Sequence, residues 1–153
     1  MKVPFVDFLP QYKEIKKEID RGLKDVFEKS NFILGQPVKD FEKEFSQYSG
    51  ARYGVGVNSG TDALHLALRA LGVKEGDEVI VPSFTFIATA LAVSYVGAKV
   101  VFADIEEDIY SLDPEKIKKA ITPRTKAIIP VHLYGQAANL DEIVSIAKEK
   151  NIA

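Results

Sequence analysis

The sequence predicts an α/β protein built on a mainly parallel sheet flanked by helices. Short β-branched runs occur at 53–57 ("YGVGV"), 78–82 ("EVIVP"), 99–103 ("KVVFA") and 127–131 ("AIIPV"). Helical patterns lie between and after them, near 61–71, 85–96, 113–121 and 140–150. Apolar strands that alternate with helices predict parallel pairing, with both faces of the sheet covered.

The elements follow in order from the N-terminus. Leu9, Tyr12, Ile15, Ile19, Leu23 and Val26 recur at three- and four-residue steps, which predicts an amphipathic helix over 9–29. Its other face carries Lys13, Lys16, Lys17 and Asp20 and reads as solvated. Ser30 and Asn31 interrupt the pattern. A second helix starts near Pro37, shows Val38, Phe41, Phe45 and Tyr48 along one side, and stops at Gly50. The chain thus divides into a helical segment, 1–50, and a partial α/β domain, 51–153. In the second part Gly72 and Gly97 stand where helix C-terminal caps are expected. Asp113-Pro114 reads as an N-cap followed by proline at the first helical position. The closing "LDEIVSIAKEKNIA" reads as a helix and the first step of another strand, whose absence would leave a sheet edge to pair.

Composition excludes several functions. A net charge of −2 over 153 residues gives no basic field for nucleic acid. With no cysteine there is no disulfide framework or thiolate metal site, and two histidines, His65 and His132, argue against a histidine-rich one. No apolar run reaches membrane-spanning length, and the N-terminus turns polar too soon for a signal peptide, so the expected location is the cytoplasm.

The stretch "VNSGTDAL", 57–64, poses the functional question. Gly54, Gly56 and Gly60 approach the dinucleotide fingerprint, but no carboxylate follows the next strand to hold a ribose. A P-loop fails because no lysine follows the glycine. A simpler device remains. Ser59, Gly60, Thr61 and Asp62 sit at a strand-to-helix junction, where free amides and the helix dipole favour a phosphate. The same residues also read as an ordinary capped helix whose hydroxyls satisfy their own backbone. In "VPSFTFIATA" two phenylalanines flank a threonine at a strand's carboxyl end, either facing a planar ligand or packing in the core.

Taken in order, these pieces resemble the sugar aminotransferases called DegT/DnrJ/EryC1/StrS. The matching stretches are "VPFVDFLPQYKEIKKEID", "FILGQPVKDFEKEFSQYSGARYGVGVNSGTDALHLALRALG", "GDEVIVPSFTFIATALAVSYVGAKVVFADI" and "ITPRTKAIIPVHLYGQAANLDEI". The resemblance implies the N-terminal part of the large domain of a fold type I, pyridoxal phosphate (PLP)-dependent transferase. By the same resemblance Ser59, Gly60 and Thr61 bind the cofactor phosphate and Phe86 stacks on the pyridine ring. His132, in "VHLYG", contacts cofactor or substrate, or is a satisfied structural histidine. Asn31, Phe32, Ile33 and Leu34 lie near the sugar nucleotide. His65 reads as packing or surface, and Asp104 and Tyr110 as loop and helix-approach residues.

Such enzymes move an amino group, usually from glutamate, to a keto sugar carried on a nucleotide. They need a phosphate anchor, a ring stack, an acid for the pyridine nitrogen, a Schiff-base lysine and a sugar pocket. The family's acid belongs to an "EDAAQ"-like stretch and its lysine to an S-x-x-K-like motif, and neither occurs here. Lys74, Lys99 and Lys126 precede strands, at the end of the sheet away from the cleft, so none substitutes. The isolated chain is therefore expected to be inactive, with PLP binding weak or absent, no catalytic residue and no metal site. A complementing C-terminal chain and a homodimeric complete enzyme are the expected partners. A PLP-dependent sugar dehydratase portion, or a non-catalytic module that binds a sugar nucleotide or a partner, are the alternatives.

Overall fold

The computed structural model describes residues 3–153, which form two compact units, 3–56 and 57–153. The first contains α1 (Leu9–Glu28) and α2 (Gln36–Tyr48). Both helices carry proline in their first turn, where its missing amide costs no hydrogen bond. No residue of α1 is buried, and its apolar stripe of Ile15, Ile19, Leu23 and Phe27 remains exposed.

The second unit runs α3 (Gly60–Ala70), β1 (Glu78–Pro82), α4 (Ala88–Tyr95), β2 (Lys99–Ala103), α5 (Pro114–Ala120), β3 (Thr125–Ile128) and α6 (Leu140–Lys150), with one 3-10 turn at Leu133–Gly135. The three strands are parallel in the order β2-β1-β3. Every residue of β1 is buried. Side chains alternate across it as a pleated strand requires. Val79 and Val81 pack with Leu68 of α3 and Ala92 and Val93 of α4. Ile80 points the other way, into Leu112, Ile117 of α5, Ile128, and Ile143 and Ile146 of α6. Both faces of the sheet are thus covered.

This order explains where a crevice forms. A right-handed crossover from β1 to β2 places α4 on one face. Returning past β1 to β3 reverses direction and places α5 on the other. The connection leaving β1 therefore turns to one face, while the connection leaving β3 leads to α6 on the opposite face. Adjacent strands whose connections part in this way leave an opening at their carboxyl ends, where open α/β sheets bind ligands.

Local signals hold at the helix ends. Gly72 and Gly97 have φ of +76° and +78°, the left-handed conformation of a C-terminal cap. Asp113 caps α5, accepting from the Glu115 amide at 2.8 Å. Helix α4 is shorter than the expected 85–96 because Ser83–Ile87 form the bends that deliver it. The last strand lies at 125–128 rather than 127–131, since Ile129–Val131 leave the ladder at the carboxyl end. Beside β3, Ala153 accepts from Ile128 at 2.9 Å and donates to Lys126 at 3.1 Å, a parallel pairing.

The expected strand at 53–57 does not form. A strand needs a neighbour for its backbone, and among the described residues the sheet joins β1, β2 and β3 without this segment. The segment instead runs against α2. The Gly56 amide donates to Glu42 Oε1 at 2.8 Å, and a Cβ on Gly54 would lie 2.5 Å from the Glu42 carbonyl oxygen. These two glycines therefore serve close backbone packing against α2.

At the amino ends of the strands, Glu78 is 1% exposed and collects three partners. Thr122 donates to Oε2, while Arg124 and Lys99 reach Oε1 at 2.8 and 3.2 Å. The Thr122 hydroxyl, then the Arg124 guanidinium and the Lys99 ammonium, overcome burial and lower the carboxyl pKa to about 2. Lys99 is thereby committed to a structural ion pair at the end of the sheet away from the crevice.

Candidate active site

A cleft of about 390 Å³ opens at the carboxyl ends of β1 and β3. Gly60, Thr61 and Leu64 of α3, Thr85, Phe86, Ala88 and Thr89 after β1, and Val131 and Leu133 after β3 line it. Neither lysine nor carboxylate lines this cleft, so its positive potential comes from helix N-termini, the start of α3 and the start of α4 at Ala88.

That start is built by Ser59, the extended N-cap of α3 (φ −158°, ψ 164°). Its hydroxyl accepts from the Asp62 amide at 3.1 Å and donates to Asp62 Oδ2 at 3.0 Å. Its carbonyl accepts from the Ala63 amide at 3.0 Å. Both capping duties fall to one residue, and the Ser59 hydroxyl has no donor left for a ligand. Among the described residues the Gly60 and Thr61 amides have no acceptor, since the first turn of a helix offers none. No atom lies within 4 Å of where a Gly60 Cβ would stand. Two free amides, the Thr61 hydroxyl and the helix dipole thus face open space, the arrangement that suits a phosphate.

Phe86 is 73% exposed, so its ring is not part of the core and a face is free for a planar group. Phe84 is also exposed and leans on Tyr110, with centroids 6.2 Å apart. Residue order alone did not separate these two phenylalanines; the cleft takes Phe86. Beneath it, Thr85 and Thr89 pair through their hydroxyls at 3.2 Å. Leu64, Thr85, Ala88, Thr89 and Leu133 are lining residues that sequence reasoning missed, because small or apolar residues in an apolar run carry no chemical signal.

His132 follows Val131 and accepts from the Ala138 amide through Nδ1 at 3.0 Å. A ring that accepts at Nδ1 carries its proton on Nε2, which leaves that atom as a donor. His65 packs edge-on against Tyr95 at 5.7 Å. Asp104 accepts from the Ile105 amide and the Ser83 hydroxyl, which hold its carboxyl below the usual range. It serves the loop, as expected.

Asn31–Leu34 belong to the 3–56 unit. Phe32, Ile33 and Leu34 are 62%, 84% and 74% exposed, and Leu34 holds a left-handed φ of +48°. Phe32 meets Phe27 edge-on at 5.8 Å. The Asn31 side chain lies over Gly35, where a Cβ would come within 2.4 Å of Oδ1.

Residues 13–153 match the model of the DegT/DnrJ/EryC1/StrS aminotransferase family. The chain belongs to this family. Members similar to it include a dTDP-3-amino-3,4,6-trideoxy-alpha-D-glucose transaminase of Streptomyces venezuelae, 49% identical over 95% of this chain and 38% of that protein. A pleiotropic regulatory protein of Geobacillus stearothermophilus is 48% identical over 99% of this chain and 41% of its own length. The crystal structure of S. venezuelae DesV in complex with a ketimine intermediate superposes with a TM-score of 0.97 at 47% identity, covering 99% of this chain and 41% of that one. The crystal structure of a 3-amino-5-hydroxybenzoic acid synthase gives 0.89 at 39% identity, over 99% and 39% of the two chains. The chain thus spans about two fifths of the length of these relatives. Its α/β fold, with a parallel sheet between helices, is that of the family's solved structures.

Proposed function

We infer that this chain supplies the phosphate anchor and ring platform of a PLP-dependent aminotransferase acting on nucleotide-linked keto sugars. The observation that carries this reading is the pair of free amides at Gly60 and Thr61 in one cleft with the exposed Phe86 ring. A phosphorylated, planar, anionic cofactor matches both: the amides and the Thr61 hydroxyl take the phosphate, and Phe86 covers one face of the ring. Ser59 contributes by holding α3 in place. His132, which stands between the lining residues Val131 and Leu133 without itself lining the cleft, is proposed to reach cofactor or substrate only in the complete enzyme. When bound, the cofactor supplies an electron sink for carbon–nitrogen chemistry.

The fit covers part of the site. The lining holds no acid for a pyridine nitrogen and no lysine to hold an aldehyde and move a proton. In our reading those groups come from a further stretch of polypeptide, and the complete enzyme is a soluble homodimer that uses glutamate as donor. Support for the substrate class comes from relatives that act on dTDP- and UDP-linked sugars. Asn31–Leu34, with three exposed apolar side chains, are proposed to approach the sugar nucleotide.

The test is direct. Purified chain is incubated with PLP, glutamate and a 3-keto sugar linked to dTDP, and amino sugar is measured by mass spectrometry. No turnover is expected from the chain alone, with turnover appearing when a polypeptide bearing the acid and lysine is supplied. Turnover by the chain alone would contradict the reading.

A further inference from the structure

Thr89 is 5% exposed, and its hydroxyl meets a single partner among the described residues, Thr85 Oγ1 at 3.2 Å. The Thr89 amide donates to the Phe86 carbonyl at 3.1 Å, and the Ala90 and Leu91 amides both donate to the Ile87 carbonyl. The turn that carries Phe86 is therefore closed at its base by Thr89. The geometry admits either hydroxyl as donor. A buried hydroxyl proton without an acceptor is costly and Thr89 is the more deeply buried of the two, so the favoured assignment has the Thr89 O–H donating to Thr85. One hydrogen bond between two hydroxyls consumes one proton. The proton of Thr85, which is half-buried on the cleft wall, is then left without a protein acceptor.

We propose that Thr89 is a positioning residue that fixes the Phe86 turn through Thr85, and that Thr85 thereby donates its own proton to an anionic oxygen of the ligand in the cleft. The proposal deepens the cofactor reading of the cleft and rests on it for the ligand, though not for the turn. An accepting hydroxyl is polarised by the bond it receives, which strengthens it as a donor. The cleft would then offer two backbone amides and two hydroxyls, Thr61 and Thr85, from two different elements.

Two measurements separate the parts. Amide hydrogen exchange is followed in wild type, Thr89→Val, Thr89→Ser and Thr85→Val. Exchange at positions 89 and 90 is expected to speed up about five-fold in both valine variants, the loss of one ordinary hydrogen bond. It should recover in Thr89→Ser, with Val93 farther along α4 unchanged. Wild-type exchange at positions 89 and 90 in both valine variants would overturn the positioning role, as would an equal acceleration at Val93. Should Thr89→Val fail to fold, Thr85→Val, at a half-buried site, gives the same readout. Pyridoxamine 5'-phosphate is then titrated against wild type and Thr85→Val, with the Gly60 and Thr61 amide resonances as the probe. Thr85→Val is expected to bind about five-fold more weakly. Equal binding would overturn the donor role of Thr85. With the amides and the ring platform both present, weak rather than absent binding is expected of the wild-type chain, so the ligand is carried to millimolar concentration. Silence from wild type there would overturn the cofactor reading, while the exchange data would still decide the role of Thr89.

Discussion

The Ser59 hydroxyl and the Asp62 amide meet at 3.1 Å, and that one bond decides which groups of the α3 N-terminus remain open. With Asp62 satisfied by the side chain and Ala63 by the Ser59 carbonyl, Gly60 and Thr61 are the residues of the first turn of α3 that retain free amides among the described residues. Ser59→Ala should therefore act first on stability. Loss of the cap is expected to cost about 1 kcal/mol, and Ser59→Gly only a few tenths. Urea unfolding midpoints of the three proteins check this; equal midpoints for Ala and wild type would contradict the cap.

Gly60→Ala should separate stability from binding. Gly60 has no left-handed φ, and no atom lies within 4 Å of its absent Cβ, so alanine fits without strain. The variant is expected to gain about 0.4–1 kcal/mol through a less flexible unfolded chain. The added methyl stands in the open space where the phosphate would approach, so binding of pyridoxamine 5'-phosphate should weaken. Thermal unfolding and a ligand titration, run on the same samples, read the two effects separately.

Phe86→Ala is expected to cost well under the ~3–5 kcal/mol typical of a core phenylalanine, because the ring is 73% exposed. Ligand binding should fall while the urea midpoint barely moves. A large loss of stability would place Phe86 in the packing and remove it from the site.

Acid should attack the other end of the sheet. The Glu78 carboxyl is depressed from 4.5 to about 2 in the folded chain by Thr122, Arg124 and Lys99. A depressed carboxylate contributes stability that is complete above its unfolded pKa and is lost as pH falls through the folded value. Denaturation midpoints should thus drop between pH 4.5 and about 2. Glu78→Gln should be less stable at neutral pH, with a shallower decline across that window. An identical decline in the variant would assign the acid sensitivity to other groups.

Much of this architecture is legible in the sequence because it is local. The caps at Ser59 and Asp113, the glycines at 72 and 97, and the apolar run of β1 are set by neighbouring residues. The anchor residues Gly60 and Thr61 stand out for the same reason: a helix start exposes its amides whatever packs elsewhere. What stayed hidden depends on distant partners. Glu78 finds Lys99 and Arg124 at separations of 21 and 46 residues. Tyr53–Val57 has strand composition but no strand to pair with, and composition cannot report a missing neighbour. Thr89 reads as one more small residue in "FIATALAV", and the fold brings its hydroxyl to Thr85 in the wall of the cleft.

The central claim is that the Gly60 and Thr61 amides take a phosphate while Phe86 covers the ring attached to it. The measurement that tests it most directly is a two-dimensional NMR titration of the labelled chain with pyridoxamine 5'-phosphate and, separately, with pyridoxamine. The account expects weak binding by this chain alone: at millimolar concentration the phosphorylated ligand shifts the Gly60 and Thr61 amides and the Phe86 ring together, and pyridoxamine leaves the two amides in place. Amide shifts that are absent, or identical for both ligands, would contradict it.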